Sequence, residues 1–262
     1  MIESFGLLFL LGHLEDITLN VLPATSASVS TADSPWTSMY VKDRYARDRV
    51  MKSARLLLPY LSQDDKSPST ILDVGCFTWE ARKYFPRNVK YIGIDQKAYH
   101  KETRAMDLNH GFEPIPCSLA LCLETLEHLL DPHDTLLSIY HSLPIDGRLV
   151  VSLPNETTLF HRLRSLLGMV DAGCFQGEGK HLHLPSLRQS EVFLSSFFHV
   201  EKKLFYISPT AVGSREAWLG KLLHLLPDGL HQFLANWMPS LFARGFIFLL
   251  KKKSSQSLHP NT

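Results

Sequence analysis

Ten residues, Ile71 to Glu80 (Ile-Leu-Asp-Val-Gly-Cys-Phe-Thr-Trp-Glu), constrain the fold of this chain more than any others. They begin as a short apolar run of Val and Ile character, the pattern of a buried strand. The run passes through Asp73 to Gly75, where the backbone is free to turn in a way that a residue with a Cβ resists. Helix-forming residues follow from Glu80. Pro86 keeps that helix short, because proline cannot continue a helix interior. A second apolar run, Val89 to Asp95, ends in an acid about twenty residues past the turn, where nucleotide-binding folds place a carboxylate for ribose hydroxyls. Strand, glycine turn, helix and second strand open a doubly wound α/β sheet. Such sheets hold nucleotide-like ligands at the carboxyl ends of their strands.

The rest of the chain continues the alternation. Trp36 to Leu61 is amphipathic and predicts a helix before the first strand. Met106-Asp107-Leu108-Asn109 reads as the end of a third strand, and Cys117 to Glu124 as a fourth. Leu126 to Leu143 predicts a helix. Pro144-Ile145-Asp146-Gly147 is a turn by its chemistry, and Arg148 to Leu153 a fifth strand. Helices are expected over Thr157 to Leu167 and Leu187 to Phe198, and a sixth strand over Val200 to Ile207. Ala217 to Trp237 reads as two helices inserted before a last strand, Phe246 to Leu250.

Four of these segments carry a family resemblance. Leu72-Asp73-Val74-Gly75-Cys76 and Tyr91-Ile92-Gly93-Ile94-Asp95 resemble the first two motifs of the class I, Rossmann-like S-adenosylmethionine-dependent methyltransferases. Cys122-Leu123-Glu124-Thr125-Leu126-Glu127-His128-Leu129 with Asp131-Pro132 resembles the fourth-strand motif. Gly147 to Asn155 resembles the fifth strand and its loop. The resemblance covers Tyr40 to Lys252. It implies a mostly parallel seven-stranded sheet with helices on both faces, S-adenosylmethionine as cofactor, and methyl transfer by in-line displacement. It also implies cofactor-binding roles for Asp73, Gly75, Cys76, Phe77, Asp95, Asp107 and Glu124, with Asp107 meeting the adenine amino group; a plain turn aspartate is the other reading of Asp107. The chain departs from the pattern at Phe77 and Trp79, where the family has small residues, and at Cys117-Ser118, where it commonly has an Asp. Those departures favour a second reading, a catalytically inactive methyltransferase-like domain that serves as a binding or scaffold protein. A nicotinamide-dependent oxidoreductase fits less well, since it wants Gly-x-Gly-x-x-Gly at the first turn and only Gly75 is present.

Composition limits the other classes. The chain has 262 residues and a net charge of +1, so no electrostatic pull toward nucleic acid is expected. Its four cysteines, Cys76, Cys117, Cys122 and Cys174, form no Cys-x-x-Cys pair; free thiols in a cytoplasmic protein are expected. No Cys/His spacing matches zinc, and no metal is expected. The apolar Phe5 to Leu14 lacks the positive flank of a signal peptide, and no run reaches the roughly 18 apolar residues of a membrane span. Residues 1–35 are expected to be a flexible extension, 36–252 the methyltransferase-like domain, and 253–262 a polar tail.

Two segments inside the domain point to the acceptor. Residues 168–185 form a long Gly-containing loop, which the resemblance places over the acceptor, and they end in His181-Leu182-His183. His128, His181 and His183 are candidate general bases, with Glu124 behind them. The loop histidines are also readable as metal ligands without a clear third partner, or as loop residues with no role. The apolar helical insert over 214–241 suits packing against the core, and also an apolar acceptor or peripheral contact with lipid. The expected acceptor is a small molecule or a lipid- or sugar-linked group.

Overall fold

The computed structural model describes residues 44–62, 64, 68–168, 181–207 and 227–254. All of them lie in the compact unit Asp33–Thr262. The N-terminal extension, most of the 168–185 loop, the first part of the helical insert, the end of the tail and Cys174 fall outside the described residues.

The elements run α1 (Arg44–Leu57), β1 (Thr70–Val74), β2 (Lys90–Asp95), β3 (Arg104–Ala105), β4 (Leu119–Leu123), α2 (Pro132–Ser142), β5 (Arg148–Pro154), α3 (Leu159–Leu166), α4 (Leu187–Leu194), β6 (Phe198–Tyr206), α5 (Asp228–Trp237), α6 (Pro239–Phe242) and β7 (Gly245–Lys252). The seven strands form one sheet in the order β3-β2-β1-β4-β5-β7-β6. β1, β2, β3, β4 and β5 are parallel neighbours. β7 runs antiparallel between β5 and β6. This is the doubly wound, mostly parallel sheet expected from the sequence.

A parallel sheet must be covered on both faces, and successive residues of a strand point to opposite sides. Ile71, Leu121, Val150 and Ile247 pack on one face with Val50, Ala54 and Leu57 of α1. Leu72, Cys122, Val151 and Phe248 pack on the other with Leu136, Ile139 and Tyr140 of α2. The spacing of Val50, Ala54 and Leu57 is the i, i+4, i+7 stripe that turns one side of α1 to the sheet. Among the described residues, no helix is long and apolar enough to cross a membrane.

Three elements differ from expectation. The helix expected from Leu126 begins at Pro132 instead; Leu126–His128 is a single 3-10 turn. Asp131 caps α2 by accepting the His133 and Asp134 amides, and Pro132 occupies the first turn, where its missing N–H costs nothing. After Gly75 the chain forms a short 3-10 helix, Glu80–Tyr84, entered through a left-handed Trp79. The third strand is Arg104–Ala105, ahead of Met106 to Asn109. The first two differences matter for the site, because they leave the carboxyl ends of β1 and β4 as irregular backbone.

Candidate active site

The loop after β1 keeps a glycine-type conformation without the glycines. Gly75 has φ 75°, and Phe77 and Trp79 follow at φ 43° and 62°. A left-handed backbone costs a residue with a Cβ about 1–2 kcal/mol, so the surrounding structure must hold both aromatics in place. It does so from β2. The Gly75 and Cys76 amides both donate to the Ile94 carbonyl, at 2.8 and 3.1 Å. The Phe77 amide donates to Asp95 Oδ2 at 2.9 Å. Trp79 lies against Gly93 of β2, where a Cβ would fall 2.6 Å from Trp79 Nε1. Its Nε1 donates to Thr103 Oγ1 at 2.9 Å, and His100 stacks on its ring at 4.5 Å. Only 8% of Trp79 is exposed, so this ring is core. Phe77 is half-buried and meets Tyr99 at 4.6 Å between ring centres.

Asp95 stands at the end of β2, with Oδ1 accepting the Lys97 amide at 3.2 Å. Burial pushes its carboxyl up, and the amides of Phe77, Lys97 and Gln96 oppose that. Each oxygen keeps a lone pair for another donor. The Thr78 hydroxyl in the same loop is buried with no hydrogen-bond partner among the described residues. A carboxylate with spare acceptor capacity and an orphaned hydroxyl at a strand edge fit a ligand rich in hydroxyl and amino groups.

Other expected cofactor residues serve the protein itself. The missing Cβ of Gly75 makes room for Thr125, whose Cγ2 and Cβ would lie 2.6 and 2.8 Å from it. A side chain at Gly75 therefore meets Thr125 before any ligand. Cys76 is buried, its Sγ 3.6 Å from Thr103 Oγ1, and burial pushes its thiol up to about 12. Asp107 is exposed and closes its own turn, accepting from the Asn109 amide and Nδ2 at 2.9 Å each. Asp73 is 3% exposed and accepts from the Tyr91 hydroxyl. Burial pushes its carboxyl up to about 7, against the Tyr91 hydrogen bond and with help from Asp95. A raised carboxyl favours the folded state only while protonated. The folded chain then binds more protons than the unfolded one, so stability falls as pH rises from about 4 to about 7. Asp73→Asn is expected to flatten that slope and to gain stability over the parent at pH 8. Urea denaturation across this range checks it.

Glu124 ends β4 at φ 50°. Its Oε1 accepts from Ser152 Oγ and from the Tyr206 hydroxyl, each at 3.1 Å. Its Oε2 pairs with Arg49 of α1 at 3.2 Å. Arg49 is 7% exposed. Burial opposes its charge, but Glu124, Tyr206 and Glu127 together outweigh burial and hold the guanidinium above its ordinary range. Glu124 thus joins α1, β5 and β6 at the end of β4.

Next to Glu124 the fold gathers histidines and acids. Glu127 is 1% exposed, and neither carboxylate oxygen has a hydrogen-bond partner in another described residue. Burial and the neighbouring Glu124 push its carboxyl well up. Its carbonyl accepts the Leu182 and His183 amides, at 2.8 and 3.1 Å, which brings the end of the loop onto β4. His128 Nε2 lies 3.8 Å from Glu127 Oε1, and the His128 and His181 rings are 4.9 Å apart. His181 Nδ1 is 2.9 Å from Glu156 Oε1, and His161 Nε2 is 3.2 Å from Glu156 Oε2. Burial pushes Glu156 up, but the His181 hydrogen bond, with Arg244 and His161, brings it down to about 2. Asn155 fixes that acid. It is fully buried and donates to the Ala243 carbonyl at 2.8 Å. His183 is apart from that pair: its Nε2 lies 2.9 Å from the Leu129 carbonyl, and the residue lines the pocket beside Glu127. A pocket of about 360 Å³ opens beside Glu127, walled by Leu126, Leu153, Leu182, Leu184 and Phe193. His128 and His181 are therefore brought together and His183 is not. Glu127 and Glu156 complete the group, and only their places just past two strand ends mark them in sequence.

A protein-family model described as a methyltransferase domain matches residues 43–195. No curated protein sequence matches the chain. The structure is similar to a SAM-dependent methyltransferase from Archaeoglobus fulgidus, at 17% identity and TM-score 0.53 over 84% of this chain and 100% of that one. It is similar to the N-methyltransferase NodS from Bradyrhizobium japonicum, solved with S-adenosyl-L-homocysteine, at 13% identity and TM-score 0.52 over 85% of this chain and 94% of that one. A possible histamine N-methyltransferase from Thermotoga maritima is similar at 14% identity and TM-score 0.52, over 83% and 94%. At these identities the likeness shows the fold; the family follows from the model match, which spans more than half of the chain. The chain belongs to the methyltransferase-domain family, the class I methyltransferases with a Rossmann-like fold.

Proposed function

We propose that the chain transfers the methyl group of S-adenosylmethionine to a small molecule or a lipid- or sugar-linked acceptor held beside Glu127, His128 and His181. The observation that carries this reading is the His181–Glu156 contact within 5 Å of the His128 ring, next to an apolar pocket. A carboxylate that fixes a histidine in one tautomer is the usual way of orienting a group that handles a proton.

On this reading Asp95 accepts the ribose hydroxyls, the Thr78 hydroxyl faces the cofactor, and Phe77 with Tyr99 forms one wall. When bound, S-adenosylmethionine supplies an electrophilic methyl carbon that an acceptor lone pair takes as the carbon–sulfur bond breaks onto sulfur. The protein aligns the two reactants, which is worth roughly 7–11 kcal/mol of barrier in favourable cases. The Glu127, His128 and His181 group activates the acceptor for the loss of its proton. The apolar pocket suits an acceptor with an apolar body. So does the exposed stripe Leu230, Phe233 and Trp237 on α5. The buried free thiols Cys76, Cys117 and Cys122 suit a reducing, cytoplasmic setting.

Methyl transfer from labelled S-adenosylmethionine to a panel of apolar hydroxyl and amine acceptors tests the reading. His181→Ala is expected to lower turnover by about 10²–10⁴-fold, with the affinity for S-adenosylhomocysteine unchanged. Asp95→Asn is expected to do the reverse, weakening that affinity about tenfold through a lost charge-assisted hydrogen bond. Equal turnover of His181→Ala and the parent would remove the histidine group from the chemistry.

A further inference from the structure

We propose that Glu127, His128 and His181 bind a divalent first-row transition-metal ion. The proposal rests on the functional reading above and specifies how its acceptor is activated.

The ligand atoms of these three residues all lie within 4.8 Å of one another. His128 Nε2 and Glu127 Oε1 are 3.8 Å apart. Two ligands bound at about 2.0–2.2 Å to one ion span up to about 4.2 Å, so this pair already has a chelating separation. The fold also solves the usual tautomer problem. In the tautomer whose Nδ1 donates to Glu156, the ring's lone pair is on Nε2, which can then serve as a ligand. That is the carboxylate–histidine arrangement found behind metal-bound imidazoles.

The independent observation is Glu127 itself. A carboxylate that is 1% exposed, with no hydrogen-bond partner for either oxygen in another described residue, is among the costliest groups a fold can bury. Arg49 is paired with Glu124 at 3.2 Å and also acts on Glu127 electrostatically, but burial and Glu124 outweigh it and keep the Glu127 carboxyl raised. A cation between Glu127 and the two imidazoles would give both carboxylate oxygens the partner they lack among the described residues. Sequence spacing shows no third ligand for His181 because Glu127 comes from the 3-10 turn after β4, and backbone hydrogen bonds from Leu182 and His183 bring the loop to it.

Two imidazoles and one carboxylate select zinc, iron, manganese or cobalt over magnesium or calcium. Three protein ligands leave at least one position open, as in catalytic rather than structural sites. Of the three ligands, Glu127 also lines the apolar pocket, so an ion held there would be close to an acceptor bound in it. An acceptor hydroxyl coordinated there has its pKa lowered, and its proton passes to solvent water. The freed oxygen lone pair then forms the bond to the methyl carbon, and the carbon–sulfur bonding pair stays on sulfur. The Asp131, His133 and Asp134 group is not a rival site, because Asp131 already caps α2.

Tag-free protein is titrated with Co²⁺, whose visible absorption reports nitrogen and oxygen coordination. In parallel it is titrated with S-adenosylhomocysteine. One equivalent of Co²⁺ is expected to bind with a developing visible band. Glu127→Gln and His181→Ala are each expected to abolish the band, and His133→Ala to leave it unchanged. Glu156→Gln should weaken Co²⁺ binding about 10–100-fold, as loss of a supporting hydrogen bond does. No stoichiometric band in a sample that binds S-adenosylhomocysteine overturns the metal site and leaves the methyltransferase reading intact. A band that survives in His181→Ala and Glu127→Gln but disappears in His133→Ala also overturns it. His181→Ala, whose side chain is partly exposed, keeps the test valid if Glu127→Gln does not fold.

Discussion

Gly75→Val is expected to destabilise the fold severely before it affects any ligand. The backbone there is left-handed, φ 75°, and a Cβ costs about 1–2 kcal/mol in that region. The new side chain also collides with Thr125, and overpacking of this kind costs about 1–3 kcal/mol. Thr125 cannot simply rotate away. Its Oγ1 lies 3.3 Å from the Val74 carbonyl and 3.1 Å from the Leu123 carbonyl, joining the ends of β1 and β4. A loss of about 2–5 kcal/mol takes a large share of the 5–15 kcal/mol that keeps a typical domain folded. Urea denaturation followed by far-ultraviolet circular dichroism measures it. Pairing Gly75→Ala with Thr125→Gly should recover the steric part and leave the φ penalty, so the two changes should be non-additive. Parent-like stability of Gly75→Val would contradict the packing described here.

Arg49→Met is the second large effect. The Arg49 guanidinium and Glu124 carboxylate are nearly buried, with side chains 9% and 15% exposed, 3.2 Å apart. Removing one member of such a pair leaves a buried charge without its partner, and typically costs about 3–5 kcal/mol. Arg49→Met with Glu124→Gln is expected to recover much of that, since a neutral replacement for a buried pair is often close to neutral in stability. The Ser152 and Tyr206 hydroxyls, which already donate to Glu124, still find an acceptor in the Gln carbonyl. A double mutant no better than Arg49→Met would show that Arg49 acts through packing rather than through Glu124. Glu124 therefore holds α1 against the carboxyl edge of the sheet, and the loss should appear in denaturation before it appears in cofactor affinity.

The sheet was legible because its strands are buried on both faces and read as short apolar runs ending in Asp73, Asp95 and Glu124. The turn between β1 and β2 was legible in outline from Gly75. What Phe77 and Trp79 do there was not, since their tolerance depends on Gly93 in the next strand leaving space for the indole. The end of β4 was misjudged as helix although Asp131-Pro132 carries the start signal for α2. Apolar periodicity on both sides of that signal hid it. Arg49 was unreadable because a charge on an amphipathic helix is ordinarily a solvated one, and Glu124 is remote in sequence. His181 was visible as a candidate; its company was not. Glu127 and Glu156 come from the ends of β4 and β5 and meet His181 only through tertiary hydrogen bonds.

Calorimetric titration of the intact chain with S-adenosylmethionine, S-adenosylhomocysteine and NAD tests the central claim most directly. The account predicts one bound molecule of either sulfur compound per chain, no binding of NAD, and weakened binding in Asp95→Asn. A folded sample that binds neither sulfur compound would contradict it, and would favour a methyltransferase-like fold that serves only as a binding partner.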